Sequence, residues 1–124
     1  MTIDVSSDVP RRLYVELTMR CNMDCGMCVR HVWEDPLREM RPELFYRLMD
    51  QLRETPTVET IQFGGFGEPT IHPHFFDFLD RVKSQGLRAE LITNGLTLNE
   101  QFADRILKAG LDRLIVSFDA VEDD

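Results

Sequence analysis

Four short segments of the chain have the residue pattern of β-strands, and the stretches between them have the pattern of helices. The strand pattern is clearest in the first segment, where Leu13, Val15 and Leu17 alternate with more polar residues. The predicted strands are LYVELT (13–18), ETIQF (59–63), LRAELIT (87–93) and DRLIVSF (112–118). The stretches that separate them are too long for hairpins, so each strand is expected to return through a helix.

Three helices are predicted between the strands from apolar residues at helical spacing. The first has Pro42 in its first turn, the second ends before Gly86, and the third begins at an Asn99 cap and ends at Gly110. Their apolar sets are Leu44, Phe45, Leu48, Met49 and Leu52; Phe75, Phe76, Leu79 and Val82; and Phe102, Ala103, Ile106 and Leu107. Alternating strands and helices imply right-handed crossovers, so the pattern predicts an α/β fold with a parallel sheet.

The loops that follow parallel strands lie at one edge of a sheet, where α/β proteins bind their ligands. The four loops begin at Met19, Gly64, Asn94 and Asp119, with the sequences MRCNMDCGMC, GGFGEP, NG and DA. No internal repeat, low-complexity segment or linker divides the chain. We therefore predict that residues 1–124 form a single domain and that its four loops converge on one site.

The composition and net charge of the chain argue against some classes of binding partner. The chain has 124 residues, of which 43% are hydrophobic, and this suits one globular domain. Its 22 acidic and 14 basic residues give a net charge of −8, which opposes binding to nucleic acids or anionic membranes. The first 15 residues do not resemble a signal peptide, and no apolar run approaches the roughly 18 residues of a membrane span. A cytoplasmic location is therefore expected.

All three cysteines of the chain lie in the loop after the first predicted strand. Cys21, Cys25 and Cys28 follow the spacing Cys-x3-Cys-x2-Cys, and an odd, clustered number argues against a disulfide framework. Cys25 and Cys28 alone would make a thioredoxin-like redox pair, whereas His31 would complete a Cys3His zinc site. An iron–sulfur cluster held by only three cysteines would leave one iron without a protein ligand.

Distinctive sequences accompany all four predicted strands: CNMDCGMC after the first, GGFGEP after the second, TNG after the third and VSFDA at the fourth. In this order they resemble the radical S-adenosylmethionine (radical SAM) superfamily. The resemblance implies an enzyme with a 4Fe-4S cluster on Cys21, Cys25 and Cys28, whose unligated iron is chelated by S-adenosylmethionine. It also implies reductive cleavage of that cofactor to a 5'-deoxyadenosyl radical, with reduced flavodoxin or ferredoxin as the electron donor.

The same resemblance assigns cofactor contacts to seven residues: Met27, Gly65, Gly67, Glu68, Thr93, Asn94 and Ser117. Gly67 and Glu68 belong to a looser x-Gly-Glu-Pro form of the family motif for the amino group of the cofactor, with Glu68 supporting the loop or the ammonium. Met27 stands where the family often has an aromatic residue against the adenine. Thr93 and Ser117 are expected near the methionine or ribose moieties.

Simpler roles stay open for several of these residues. Glu68 could be a loop carboxylate in water, and Thr93 and Asn94 could belong to a plain Asn-Gly turn. Asp119, just past the fourth strand, suits a helix cap as well as a ligand contact. The three histidines match no family motif, and for His72 and its neighbour His74 we expect loop or cap roles.

The radical SAM core usually has six β/α units, and this chain supplies four strands and three helices. We therefore expect the N-terminal portion of a core, truncated before strands five and six and inactive alone. The context YVELTMRCNMDCGMCVRHVWEDP resembles SPASM-type maturases such as those of tungsten-cofactor oxidoreductases, which implies a peptide or protein substrate and a role in peptide modification or cofactor maturation. The alternative is a small zinc-binding structural or interaction domain using the three cysteines and His31, which would not explain the other loops.

Overall fold

The computed structural model describes residues 9–118 as one parallel sheet with its helices packed on one face. The strands are β1 (Arg12–Glu16), β2 (Thr60–Gly64), β3 (Arg88–Thr93) and β4 (Arg113–Val116). They lie side by side in sequence order, and every neighbouring pair is parallel. This confirms the predicted α/β class. β2 has the predicted length and begins one residue later, and the other three strands are one to three residues shorter than the patterns suggested.

The three predicted helices are α1 (Pro42–Leu52), α2 (Phe75–Ser84) and α3 (Glu100–Ala109). Pro42 occupies the first turn of α1, as predicted. The side chain of Asn99 caps α3 by accepting a 2.8 Å hydrogen bond from the Phe102 N–H. Gly110 ends α3 with a φ of 80°, a conformation that a residue with a Cβ rarely adopts. Two short 3₁₀ turns, Val29–Val32 and Pro69–Ile71, lie in the loops after β1 and β2.

One hydrophobic core fills the space between the sheet and the helices. It is formed mainly by Val15, Leu17, Phe45, Met49, Ile61, Phe63, Phe75, Phe78, Leu79, Val82, Leu91 and Ile106. The predicted apolar sets need four corrections: Phe78 is fully buried, whereas Ala103 is exposed and Leu44 and Leu107 are 55% and 74% exposed. Each of the two leucines precedes or follows a buried residue by one position, which rotates it about 100° away from the core.

The strand residues that alternate with the core residues form a polar row on the other face of the sheet. Tyr14, Gln62, Glu90 and Arg113 are paired in register across the four strands. Glu90 is only 2% exposed, and Arg12 Nη2 lies 3.3 Å from its Oε1. The helices therefore cover one face of the sheet and leave the polar row on the opposite face.

Within residues 9–118, no helix has both the length and the apolar composition needed to cross a membrane.

Candidate functional site

A cavity of about 880 Å³ lies at the carboxyl edge of the sheet and is lined by the segments that follow all four strands. All ten predicted site residues line it: Cys21, Cys25, Met27, Cys28, Gly65, Gly67, Glu68, Thr93, Asn94 and Ser117. The structure therefore brings the predicted residues together, while the role of each stays a prediction. Asp119 lies outside the described residues.

The loop that carries the cysteines, residues 20–37, is closed at its base by antiparallel pairing. The Met40 N–H donates to the Leu17 carbonyl at 2.7 Å, and the Met19 N–H donates to the Arg38 carbonyl at 2.9 Å. Thr18 and Glu39 pair between them. We call residues 20–37 the cysteine loop. Because its two ends are held together, it projects from the sheet edge as one unit beside the cavity.

The three cysteines are free thiols and each is partly exposed. Cys21 Sγ accepts from the Met23 N–H at 3.4 Å and from Asn94 Nδ2 at 3.5 Å. Cys28 Sγ accepts from Arg30 Nε at 3.4 Å. The backbone N–H and then the guanidinium of Arg30 lower the pKa of the Cys28 thiol. At Cys28 these contacts favour the thiolate, which is the form that ligates metals.

Glu68 is a buried carboxylate that joins two of the lining loops. It is 2% exposed, and its Oε1 accepts from Thr93 Oγ1 at 2.6 Å and from both the backbone N–H and the hydroxyl of Thr70. Its Oε2 accepts from the Asn94 N–H at 2.8 Å. The expectation that Glu68 supports the loop agrees with these contacts. The alternative of a carboxylate in water does not, since nearly all of the side chain is shielded from solvent.

The glycine-rich loop after β2 packs directly against the start of the cysteine loop. A Cβ on Gly67 would overlap the carbonyl oxygens of Thr18 and Arg20, so only glycine allows this approach. The next residue along, Glu68, donates its N–H to the Arg20 carbonyl at 2.8 Å. The glycine therefore serves the contact between two backbones.

The remaining predicted residues occupy different parts of the cavity wall, and among them are Thr93, Asn94, Ser117 and Met27. Thr93 is buried and its hydroxyl faces Glu68, whereas Asn94 turns its amide toward Cys21 and toward Asn22 Oδ1 at 2.8 Å. Ser117 is exposed, and its N–H donates to the Thr93 carbonyl. Met27 is 81% exposed at the mouth of the cavity. Asn94 thus connects the loop after β3 to a cysteine sulfur.

A family model described as the radical SAM superfamily matches residues 15–124. The chain belongs to this superfamily. It is 38% identical over 109 residues to the tungsten-containing aldehyde ferredoxin oxidoreductase cofactor-modifying protein of Pyrococcus furiosus, covering 88% of this chain and 31% of that protein. It is 30% identical over 119 residues to the PqqA peptide cyclase of Granulibacter bethesdensis, covering 91% and 30%. The chain therefore spans about a third of the length of these relatives.

Solved structures of radical SAM enzymes have the same fold. BtrN in complex with AdoMet and 2-DOIA superposes with a TM-score of 0.77 and 28% identity, covering 86% of this chain and 44% of BtrN. SuiB of Streptococcus suis bound to S-adenosylmethionine gives a TM-score of 0.69 at 19% identity, covering 89% and 24%, and shows the fold alone. The four strands and three helices described above thus correspond to part of a radical SAM barrel.

The geometry does not support the zinc alternative. His31 Nε2 lies 2.8 Å from the Cys25 carbonyl oxygen and 3.4 Å from Asp24 Oδ1, so its ring is engaged within the cysteine loop. Among residues 9–118, no three His, Cys, Asp or Glu side chains come together as ligands of one metal ion. A zinc site needs each sulfur about 2.3 Å from a single centre, whereas each cysteine of an iron–sulfur cluster binds a different iron.

Sequence reasoning missed two polar residues of the site, Glu16 and Arg30. Glu16 ends β1, and its Oε1 accepts from the Phe66 N–H at 2.6 Å, which fixes the glycine-rich loop. Its position on the polar side of the first predicted strand is the feature of the sequence that could have identified Glu16. Arg30 stands two positions after the third cysteine and lines the cavity, but a lone arginine in a loop carries no motif.

Proposed function

We propose that the chain is the cluster-binding part of a radical SAM enzyme. Cys21, Cys25 and Cys28 would ligate a 4Fe-4S cluster, and the loops after β2, β3 and β4 would hold S-adenosylmethionine beside it. The observation that carries this proposal is the common cavity of about 880 Å³, which is lined by the three cysteines and by the other seven predicted residues. A cavity of this size suits a ligand as large as a nucleoside.

The residues present fit a bound cluster. All three sulfurs are reduced and partly exposed, and two of them already accept N–H hydrogen bonds. When bound, a cluster held by Cys21, Cys25 and Cys28 would supply the electron for reductive cleavage of S-adenosylmethionine, and with it the radical chemistry that removes hydrogen from a substrate. The protein would supply the positions of both groups and an enclosure that limits side reactions.

Individual residues would divide this work by location. Glu68 would fix the loop after β2 against Thr93 and Asn94, so that the wall facing the cofactor keeps its shape. Met27 and Phe118 expose apolar surface on the cavity lining, 81% and 76% respectively, and would cover the adenine and exclude water. Ser117, at the end of β4, would contact the ribose or the carboxylate of the cofactor.

We infer a peptide or protein substrate, in peptide modification or in the maturation of an enzyme or its cofactor. Support comes from two relatives, a cofactor-modifying protein and a peptide cyclase, and from a solved complex of SuiB with the precursor peptide SuiA. Reduced flavodoxin or ferredoxin would be the electron donor. The chain spans 31% and 30% of the two relatives.

Anaerobic reconstitution with iron and sulfide tests the cluster assignment. We expect about four irons per chain and a low-temperature EPR signal after reduction, which changes when S-adenosylmethionine is added. Cys25→Ala should lose the cluster, whereas His31→Ala, which removes the ring but no sulfur, should retain it. About one zinc per chain without a cluster signal would contradict the proposal, and equal loss in both variants would restore the Cys3His site.

A further inference from the structure

Side chains outside the cysteine motif donate hydrogen bonds to two of the three sulfurs. Arg30 Nε lies 3.4 Å from Cys28 Sγ, and Asn94 Nδ2 lies 3.5 Å from Cys21 Sγ. Among the hydrogen bonds of residues 9–118, none ends on Cys25 Sγ. The three proposed ligands therefore differ in their surroundings, with one beside a cation, one beside an amide and one without a donor.

Arg30 is held in place by a second contact. Its Nη2 donates to the Met23 carbonyl at 2.8 Å, so the guanidinium bridges the two ends of the cysteine motif. Within the described part of the chain, no carboxylate lies within 4.0 Å of this guanidinium. Arg20, at the start of the same loop, differs in both respects, because it pairs with Glu39 at 3.8 Å and contacts no sulfur. The Arg30 guanidinium thus lies beside the sulfur of Cys28, a proposed ligand. Among the described residues, no carboxylate pairs with this guanidinium.

Asn94 is equally well fixed, through its oxygen. Asn94 Oδ1 accepts from the Leu96 N–H at 3.0 Å, and its backbone N–H is bound by the buried Glu68. The amide nitrogen is left to face Cys21 and Asn22. Because the Asn94 side chain is already held in this orientation, its N–H can donate to the Cys21 sulfur without a further loss of side-chain freedom. The hydrogen bond would therefore be present in both the oxidised and the reduced state of a bound cluster.

We propose that Arg30 and Asn94 are positioning residues that raise the reduction potential of the cluster, Arg30 more strongly than Asn94. This inference rests on the proposed function. Reduction adds one negative charge to a cluster and its thiolates. An N–H donor to a ligand sulfur stabilises that charge, and a cation beside the sulfur stabilises it further. Both residues would therefore make the cluster easier to reduce by a flavodoxin or ferredoxin.

The test is an EPR-monitored redox titration of the reconstituted chain in the absence of S-adenosylmethionine. At the midpoint potential of the unmodified protein, Arg30→Gln should lower the ratio of reduced to oxidised cluster about tenfold, which is about 59 mV for one electron. Asn94→Ala should lower this ratio about threefold, a shift about half as large. Arg20→Gln removes a cation from the same loop without removing a sulfur contact, and should leave the midpoint unchanged.

Iron content is measured for each variant beside the titration. Should Arg30→Gln fail to hold a cluster, Arg30→Lys serves instead, since it keeps the charge but cannot bridge Cys28 and Met23; we expect a smaller shift in the same direction. Intact clusters with one common midpoint would overturn this inference and leave the proposed function standing. A shift in Arg20→Gln as large as that in Arg30→Gln would also overturn it. Failure of the unmodified protein to form any cluster would overturn both proposals.

Discussion

The two walls of the cavity are built in opposite ways. One wall consists of the glycine-rich loop and the end of β3, where Gly67, Glu68 and Thr93 are buried. The Glu68 carboxylate accepts four hydrogen bonds there, two from Thr70 and one each from Thr93 and Asn94. The other wall is the cysteine loop, in which no residue from 20 to 37 is buried. We call the first the braced wall. It has its own buried contacts, whereas the cysteine loop relies on exposed polar ones.

This difference shows where a ligand can contribute to stability. The braced wall is ordered by burial and satisfied hydrogen bonds, so its shape does not depend on what fills the cavity. The cysteine loop has few buried contacts to offset the entropy of ordering it. Metal binding supplies that free energy in many small sites. A bound cluster would thus stabilise the cysteine loop, whereas the braced wall has its shape before the cluster binds.

Gly67→Ala should lower the free energy of unfolding more than the other substitutions, because the added methyl group would push the two walls apart. The added methyl would overlap two backbone carbonyls that have no room to move, and we expect a loss of about 3 kcal/mol in the free energy of unfolding. Gly26→Ala is the matched control, since a Cβ there meets no atom within 4 Å and the change should stay within about 0.5 kcal/mol. Urea unfolding measures both. Equal effects would mean that the close approach of the loops does not hold the walls together.

Glu68→Gln should break the braced wall from inside. The new amide nitrogen would face a backbone N–H or a hydroxyl that now donates to the carboxylate, so a buried donor is left unpaired. We expect a loss of about 2 kcal/mol in the free energy of unfolding. Glu59→Gln is the control, because that side chain is 59% exposed and pairs only with Arg11, itself 71% exposed. A loss below about 0.5 kcal/mol for Glu68→Gln would contradict the bracing role.

The sequence predicts most of the fold and the membership of the site, for physical reasons that apply to particular residues. Period-two and helical spacing identify the strands and helices, and parallel strands bring their following loops to one edge. Gly110 and Asn99 could be assigned because helix ends have residue preferences that act locally. The ten predicted residues that line the cavity come from motifs at or just after the ends of strands, and their roles stay predictions.

The sequence did not predict how the site residues are engaged. Glu68 is a brace because Thr93 and Asn94, 25 and 26 positions later, donate to it, and such long-range pairs leave no local pattern. The same holds for Arg30 and Glu16, whose partners are set by loop conformation. Phe78 was missed because the neighbouring phenylalanines satisfied the helical pattern without it.

His72 connects the base of the cysteine loop to α2, and its titration should weaken that connection in mild acid. Its Nε2 lies 3.0 Å from the Met40 carbonyl oxygen, and its Nδ1 accepts from the His74 N–H, so the ring is neutral. Burial lowers the pKa of His72, although the Met40 contact opposes this shift. The unfolded chain therefore binds this proton more readily. Stability should be complete above the unfolded pKa of about 6.5 and decline as the pH falls through the folded pKa.

Unfolding of the protein without a cluster between pH 7.5 and 5 tests this expectation. His72→Gln should reduce the dependence of stability on pH in this range, because the titrating ring is gone. A slope as steep in the variant as in the unmodified protein would assign the acid sensitivity to other groups. Asp112, whose pKa is lowered mainly by its hydrogen bond from Lys83, loses its contribution only below about pH 4 and so does not interfere.

Replacing all three cysteines by alanine should have the smallest effect on the protein without a cluster. None of the three side chains is buried, so the change in the free energy of unfolding should stay within about 0.5 kcal/mol. After reconstitution the unmodified protein should gain stability by mass action, and the triple variant should not. Thermal unfolding before and after anaerobic reconstitution measures both quantities. A large loss in the cluster-free variant would show that the thiols themselves order the cysteine loop, and the contrast between the walls would then lie in their chemistry and not in their need for a ligand.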